Sequence, residues 1–171
     1  MPYQIPDFES LVVTRLQVNN TELRASGLKA IYAQPPITAP DIGDYPLASV
    51  RIGAMRSPVP AFTAGLVIVT RDYITDLPVA PLTNTMDTTN QGADANTLTL
   101  KWFAIVRNYY INHPHLQTDA NNGTDPLAYM YGDLELQDNG TVQLTAPGGT
   151  TYVGLRYTLT ITMRARATRI G

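Results

Sequence analysis

Two histidines, His113 and His115, flank Pro114 in the stretch NHPHL. Imidazoles at i and i+2 share one face if the segment is a strand, and two such rings can hold part of a metal site. Cysteine is absent and there is no third histidine, so carboxylates from elsewhere would have to complete the set. The competing reading places both rings at a helix end, close to the negative pole of the helix dipole, with Pro114 as the stop. Two carboxylate pairs also stand out. Asp41 and Asp44 lie in a proline-rich loop, and Asp133 and Glu135 lie on a predicted strand. Acid–base work by such a pair needs one member shielded from water. Nothing beside either pair supplies shielding, so they read as solvated charges. Gly148-Gly149 follows Pro147 in a turn with no helix after it to cradle a phosphate. No serine sits in a nucleophile-elbow pattern. The expectation is a chain without catalytic, cofactor-binding or metal-binding residues, and not an enzyme.

The arginines carry more. From Val153 the apolar residues alternate without a break: Val153, Leu155, Tyr157, Leu159, Ile161, Met163, Ala165, Ala167. The intervening face reads Gly154, Arg156, Thr158, Thr160, Thr162, Arg164, Arg166, Thr168. Period two over this length predicts one long strand with one buried face. Arg156, Arg164 and Arg166 then share the outward face, and Arg169 follows. Charges on an edge guard against stray strand pairing. They also make a local basic patch on an otherwise acidic chain, fit to meet an acidic neighbour or passing nucleic acid.

Composition frames that patch. The chain has 171 residues, 44% hydrophobic and only 15% charged, with a formal net charge of -2. Its length fits one domain, 1–171. A charged share well under a quarter is low for a globular surface. It suits surfaces buried against other chains, whose cores are depleted in Lys, Glu and Asp. The acidic balance argues against nucleic-acid binding by bulk electrostatics. No apolar run approaches the roughly 18 residues of a membrane span. The opening MPYQIPDFES has neither the basic nor the apolar region of a signal peptide, so synthesis and assembly in a cytoplasm is the expectation.

The elements that position these residues follow from pattern. Asp7 caps a helix over 7–18 whose stripe is Phe8, Leu11, Val12, Arg15 and Leu16. Thr21 and Gly27 bracket a short helical turn. LKAIYAQ reads as a strand. Pro35, Pro36, Pro40 and Pro46 make the following segment a loop. LASVRIG and LVIVTRDYITDLPV are strands, the second strongly β-branched. The polar stretch 81–97 reads as a long loop. A second helix runs through ANTLTLKWFAIVRNYYINHP, with Leu98, Trp102, Ile105, Val106 and Tyr109 as its stripe. The 117–126 connection is turn-rich. LAYMYGDLELQ and TVQLTA are strands, and DNG between them is a strong hairpin turn. The order helix, three strands, helix, three strands predicts an α+β fold: a mainly antiparallel sheet with two principal helices packed on one face. The other face is polar and must meet water or another chain.

Three stretches taken together carry a resemblance. They are LKAIYAQPPITAPDIGDYPLASVRIG after an N-terminal helix, LVIVTRDYITDLPVAP before a polar loop and a helix, and the closing GGTTYVGLRYTLTITMRA. Their layout resembles the tail terminator (tail completion) proteins of long-tailed bacteriophages, the lambda-like neck family. The likeness covers nearly the whole chain in layout, not in individual residues. It implies a structural virion protein of the tail and neck, assembled in the host cytoplasm. It implies a homo-oligomer, a hexameric ring, that caps the tail tube protein, stops its polymerisation and docks the head–tail connector protein. Genomic DNA would pass through the lumen without specific binding, and no cofactor or membrane is involved. On this reading Arg156, Arg164, Arg166 and Arg169 line a subunit interface or the lumen. Their partners would be carboxylates of a neighbour such as Asp41, Asp44 or Asp72. A head-closure or adaptor ring, a tail tube subunit and a small ligand-binding α+β domain remain as alternatives.

Overall fold

The long C-terminal strand lies inside the sheet, one place in from its edge. The computed structural model describes residues 3–18, 21–34, 45–56, 61–63, 65–81, 88–117, 127–146 and 148–169. In chain order the elements are β1 (Tyr3–Gln4), α1 (Phe8–Val18), α2 (Thr21–Ala25), β2 (Ala30–Tyr32), β3 (Leu47–Met55), β4 (Ala61–Thr63) and β5 (Leu66–Pro81). Then follow α3 (Thr88–Asn112), β6 (Glu135–Thr145), β7 (Thr151–Arg166) and β8 (Thr168–Arg169). The main sheet has the order β2-β3-β5-β7-β6, with β4 continuing the β3 column alongside β5. All pairs in it are antiparallel except β2 with β3. A two-stranded ladder, β1 with β8, joins Tyr3 to Arg169 and Gln4 to Thr168. The fold is α+β, as the pattern predicts.

Asp7 caps α1 as its position demands. The Ser10 amide donates to Asp7 Oδ1 at 3.0 Å, satisfying one of the four amides that a helix start leaves unpaired. The face of α1 that enters the core is Phe8, Val12 and Leu16, spaced i, i+4, i+8. Leu11 and Arg15 fall outside it. From α3, Trp102, Val106, Tyr109 and Tyr110 are buried. They meet the odd-numbered residues of β5 and β7 in one continuous core that includes Tyr73, Leu77, Leu155, Leu159 and Ile161. Each fully buried aliphatic or aromatic side chain there contributes about 1.5–3 kcal/mol. The helices therefore lie on one face of the sheet, and the even-numbered residues of β5 and β7 point the other way.

Three expectations need correction. The polar stretch 81–97 is not all loop, because α3 already begins at Thr88. The DNG sequence does not turn the chain. Asp138 stands opposite Tyr157 and Thr141 opposite Leu155, so three steps on β6 match two on β7. That is a β-bulge inside one continuous strand. Gly140 takes φ 84° there and its amide donates to Asp138 Oδ1 at 2.7 Å. The local geometry of a hairpin turn and of a glycine bulge share this left-handed residue, and β7 supplies a partner along the whole length of β6. Residues 127–134 are irregular apart from a bridge of Met130 to Met163, so β6 starts at Glu135.

Candidate interaction surface

The face turned away from the helices is built by period two. On β5 it presents Leu66, Ile68, Thr70, Asp72, Ile74 and Asp76. On β7 it presents Arg156, Thr158, Thr160, Thr162, Arg164 and Arg166, each directly opposite one of them. Beside them β3 contributes Ser49 and Arg51. Gly53 follows, where a Cβ would come within 3.1 Å of the Asp72 Cβ and the Ile74 side chain. Among the described residues no helix packs on this face.

Its carboxylates are tucked beneath its guanidiniums. Arg156 holds Asp76 in a bidentate pair, with Nη2 to Oδ2 at 3.1 Å, and Arg51 Nη2 lies 3.8 Å from the same oxygen. Asp72 Oδ1 accepts from Arg56 Nε and from Thr160 Oγ1, both at 2.7 Å. The side chains of Asp72 and Asp76 are 15% and 14% exposed, against 47% for Arg51 and Arg56. The hydrogen bond to Asp76 raises Arg156 above the ordinary guanidinium value, and the bond to Asp72 does the same for Arg56. Thr70 and Thr162 share a hydrogen bond at 2.9 Å. Further along, exposed Arg164 sits 4.5 Å over the Tyr131 ring, and Arg166 is exposed. The exposed charges over β3 and β7 are thus cationic, with Asp72 and Asp76 and the buried Thr158 and Thr160 below them, while Glu135 of β6 stands exposed beside Thr160 at the edge of the face.

This changes the roles expected of individual residues. Arg156 and Asp72 have partners within the chain: Asp76 for Arg156, and Arg56 and Thr160 for Asp72. Arg164 and Arg166 are outward as expected. Arg169 joins Tyr3 in the β1–β8 ladder. Asp41 and Asp44 lie outside the described residues. Asp76, Arg51 and Arg56 complete the face and were not among the expected site residues. Asp72, Ile74 and Asp76 share a period-two face in the sequence, which was the available signal.

The histidines do not converge. His113 is buried with its ring 4.6 Å from that of Tyr109, and its Nε2 is 3.3 Å from Glu22 Oε1. His115 Nε2 meets Asp133 Oδ1 at 2.8 Å. Among the described residues no three His, Asp or Glu side chains gather as a metal site would require, and no helix is long and apolar enough to cross a membrane. A groove of about 490 Å³ lies between α3 and the edge strand β6, lined by Phe103, Tyr110, Ile111, Leu134 and Leu136 among others. No protein-family model matches the chain, and no curated protein matches it in sequence.

Proposed function

We propose that this chain is a structural virion protein, a ring-forming tail terminator that caps the tail tube, stops its polymerisation and docks the tail to the head connector. The observation that carries the reading is the uncovered sheet face, where Asp72 and Asp76 are held under arginines so that the exposed charges over β3 and β7 are cationic, with Glu135 exposed at the β6 edge. Such a face suits a subunit that packs against other chains, because arginines are enriched at interfaces and charges there meet partners. The sparse overall charge and the resemblance of layout point the same way. Arg164 and Arg166 are the residues assigned to contacts with a neighbour. The ring is a homo-oligomer, placed in the virion neck between tube protein and connector, with DNA passing through it unread.

Electron microscopy of particles made without this chain tests the reading. Free heads together with tails of uncontrolled length are the expected result. Tails of normal length that fail to join heads would move the chain to the head side, as a closure or adaptor ring. Normal virions would remove the virion role altogether.

A further inference from the structure

The sheet has two free edges, and they match. On one side β2 covers only Leu47, Ala48 and Ser49 of β3, so among the described residues β3 has no strand partner beyond Ser49 on that side. Arg51, Ile52, Ala54 and Met55 are exposed there. On the other side β6 ends the strand order, and most of its length is exposed. Unpaired strand edges of this kind are templates for another strand.

The ladder ties the two edges to one level. Ile52 stands opposite Tyr73, Tyr73 opposite Leu159, and Leu159 opposite Leu136. These four side chains form a single row across four strands on the helix side. Its inner members are only 1% and 0% exposed, whereas Ile52 at its end is 49% exposed. Leu136 at the other end lines the groove beside α3. The row is complete in the middle and open at both ends. The row beneath it runs Arg51, Ile74, Thr158, Gln137.

Charge and direction agree as well. The β3 edge carries Arg51 and Arg56, and the β6 edge carries Glu135 and Asp138. Three antiparallel steps separate β3 from β6, so the two strands run in opposite directions. A second copy related by rotation about an axis along the strands keeps its direction. Its β3 would then meet β6 of the first copy as an antiparallel partner, continuing the sheet.

We infer that the partner of the β6 edge is a second copy of this chain, presenting the Arg51–Met55 edge of its β3, with Ile52 entering the groove beside Leu136. Arg51 of the incoming strand lies diagonal to Glu135. The contact joins two different patches, so it is heterologous and closes into a ring when the rotation divides a full turn. This inference rests on the ring proposed above and names the surface that makes it.

The chain has no cysteine, which allows a clean test. Ile52 and Leu136 of one copy are three strand spacings apart, about 14 Å, beyond the roughly 7 Å limit for a disulfide. Purified Ile52→Cys and Leu136→Cys variants are mixed and oxidised. The expected product is a mixed disulfide dimer, while either variant alone stays uncrosslinked. The doubly substituted chain should give a ladder in steps of 18.7 kDa. Homodimers of one variant alone, or no more crosslink than Ile52→Cys gives with a Val18→Cys control, would overturn the inference. A second measurement covers variants that fold poorly. Arg51→Glu should weaken self-association at least tenfold, and a copy carrying Glu135→Arg should restore it. Rings observed without the crosslink would keep the terminator reading and remove this interface. A crosslink found alongside normal virions in the deletion would do the reverse.

Discussion

Arg156 and Asp76 face each other across β7 and β5 as a directly opposed, bidentate pair, and the aspartate is the more buried of the two. The pair is therefore part of the fold rather than a free handle for a partner. Removing one member leaves the other charge without its hydrogen bonds. Bonds to charged groups contribute about 1.5–3 kcal/mol, more than exposed pairs do. Arg156→Ala, which leaves the carboxylate in place beneath Arg51, is expected to cost about 2 kcal/mol. Urea unfolding should show a lower midpoint with an unchanged slope. A midpoint within error of the parent would show that the pair is spare.

Gly154 on β7 is a second fixed point. A Cβ there would approach the Leu77 carbonyl oxygen and lie 2.7 Å from the Pro78 Cα. Both neighbours are backbone, at the bulge between Pro78 and Ala80, so no rotamer change relieves the contact. Gly154→Ala is expected to destabilise by about 3 kcal/mol or more, at the upper end of overpacking costs. Thermal unfolding of the purified variant checks this, and a melting temperature within a degree or two of the parent would refute it.

Much of this was legible in the sequence, for physical reasons. The alternation from Val153 to Ala165 gives the two faces of β7 outright, because a one-residue slip would bury arginines. Asp7 and the Phe8, Val12, Leu16 spacing fix α1 locally. What escaped the sequence depended on partners remote in the chain. DNG favours a hairpin locally, yet β7 offers backbone partners on both sides of it, so the same glycine serves a bulge. Thr88 to Ala95 has no apolar stripe to announce a helix, yet the backbone there belongs to α3. The pairing of Arg156 with Asp76, eighty residues earlier, follows only from the register of β5 on β7. Long polar side chains could reach several acids, and only the ladder chooses among them.

Arg164 and Arg166 differ from Arg156 in having no carboxylate partner among the described ion pairs. Arg164 stacks on Tyr131, a contact that contributes about 0.5–1 kcal/mol at an exposed site. Replacing both with Glu should lower stability by no more than about 1.5 kcal/mol in total, because Arg166 is a plain surface position. The same double substitution reverses the charge at the tip of the proposed contact face and should abolish assembly. Circular dichroism and denaturant unfolding read the first effect. The yield of infectious particles reads the second, and normal yield from a folded double variant would remove both arginines from the interface.

The core makes one statement about pH. Tyr73, Tyr110 and Tyr157 are buried, and burial raises each phenol above its ordinary value, with Glu9 adding to the rise at Tyr73. Tyr110 and Tyr157 lie with ring centroids 5.9 Å apart, under α3 and against β7. In the unfolded chain these phenols ionise near pH 10, whereas in the folded chain they keep their protons. Between those points the folded state binds more protons, so stability falls as pH rises. Their contribution is fully present below about pH 10 and is lost above it, by up to about 1.4 kcal/mol per pH unit for each tyrosine. Unfolding midpoints measured from pH 8 to 12 should be flat at first and then drop steeply. Tyr110→Phe removes one ionising group and should make the drop shallower by about a third. An unchanged slope in that variant would mean that the phenol of Tyr110 titrates in the folded protein, and that the packing between α3 and β7 is looser than the side-chain burial indicates.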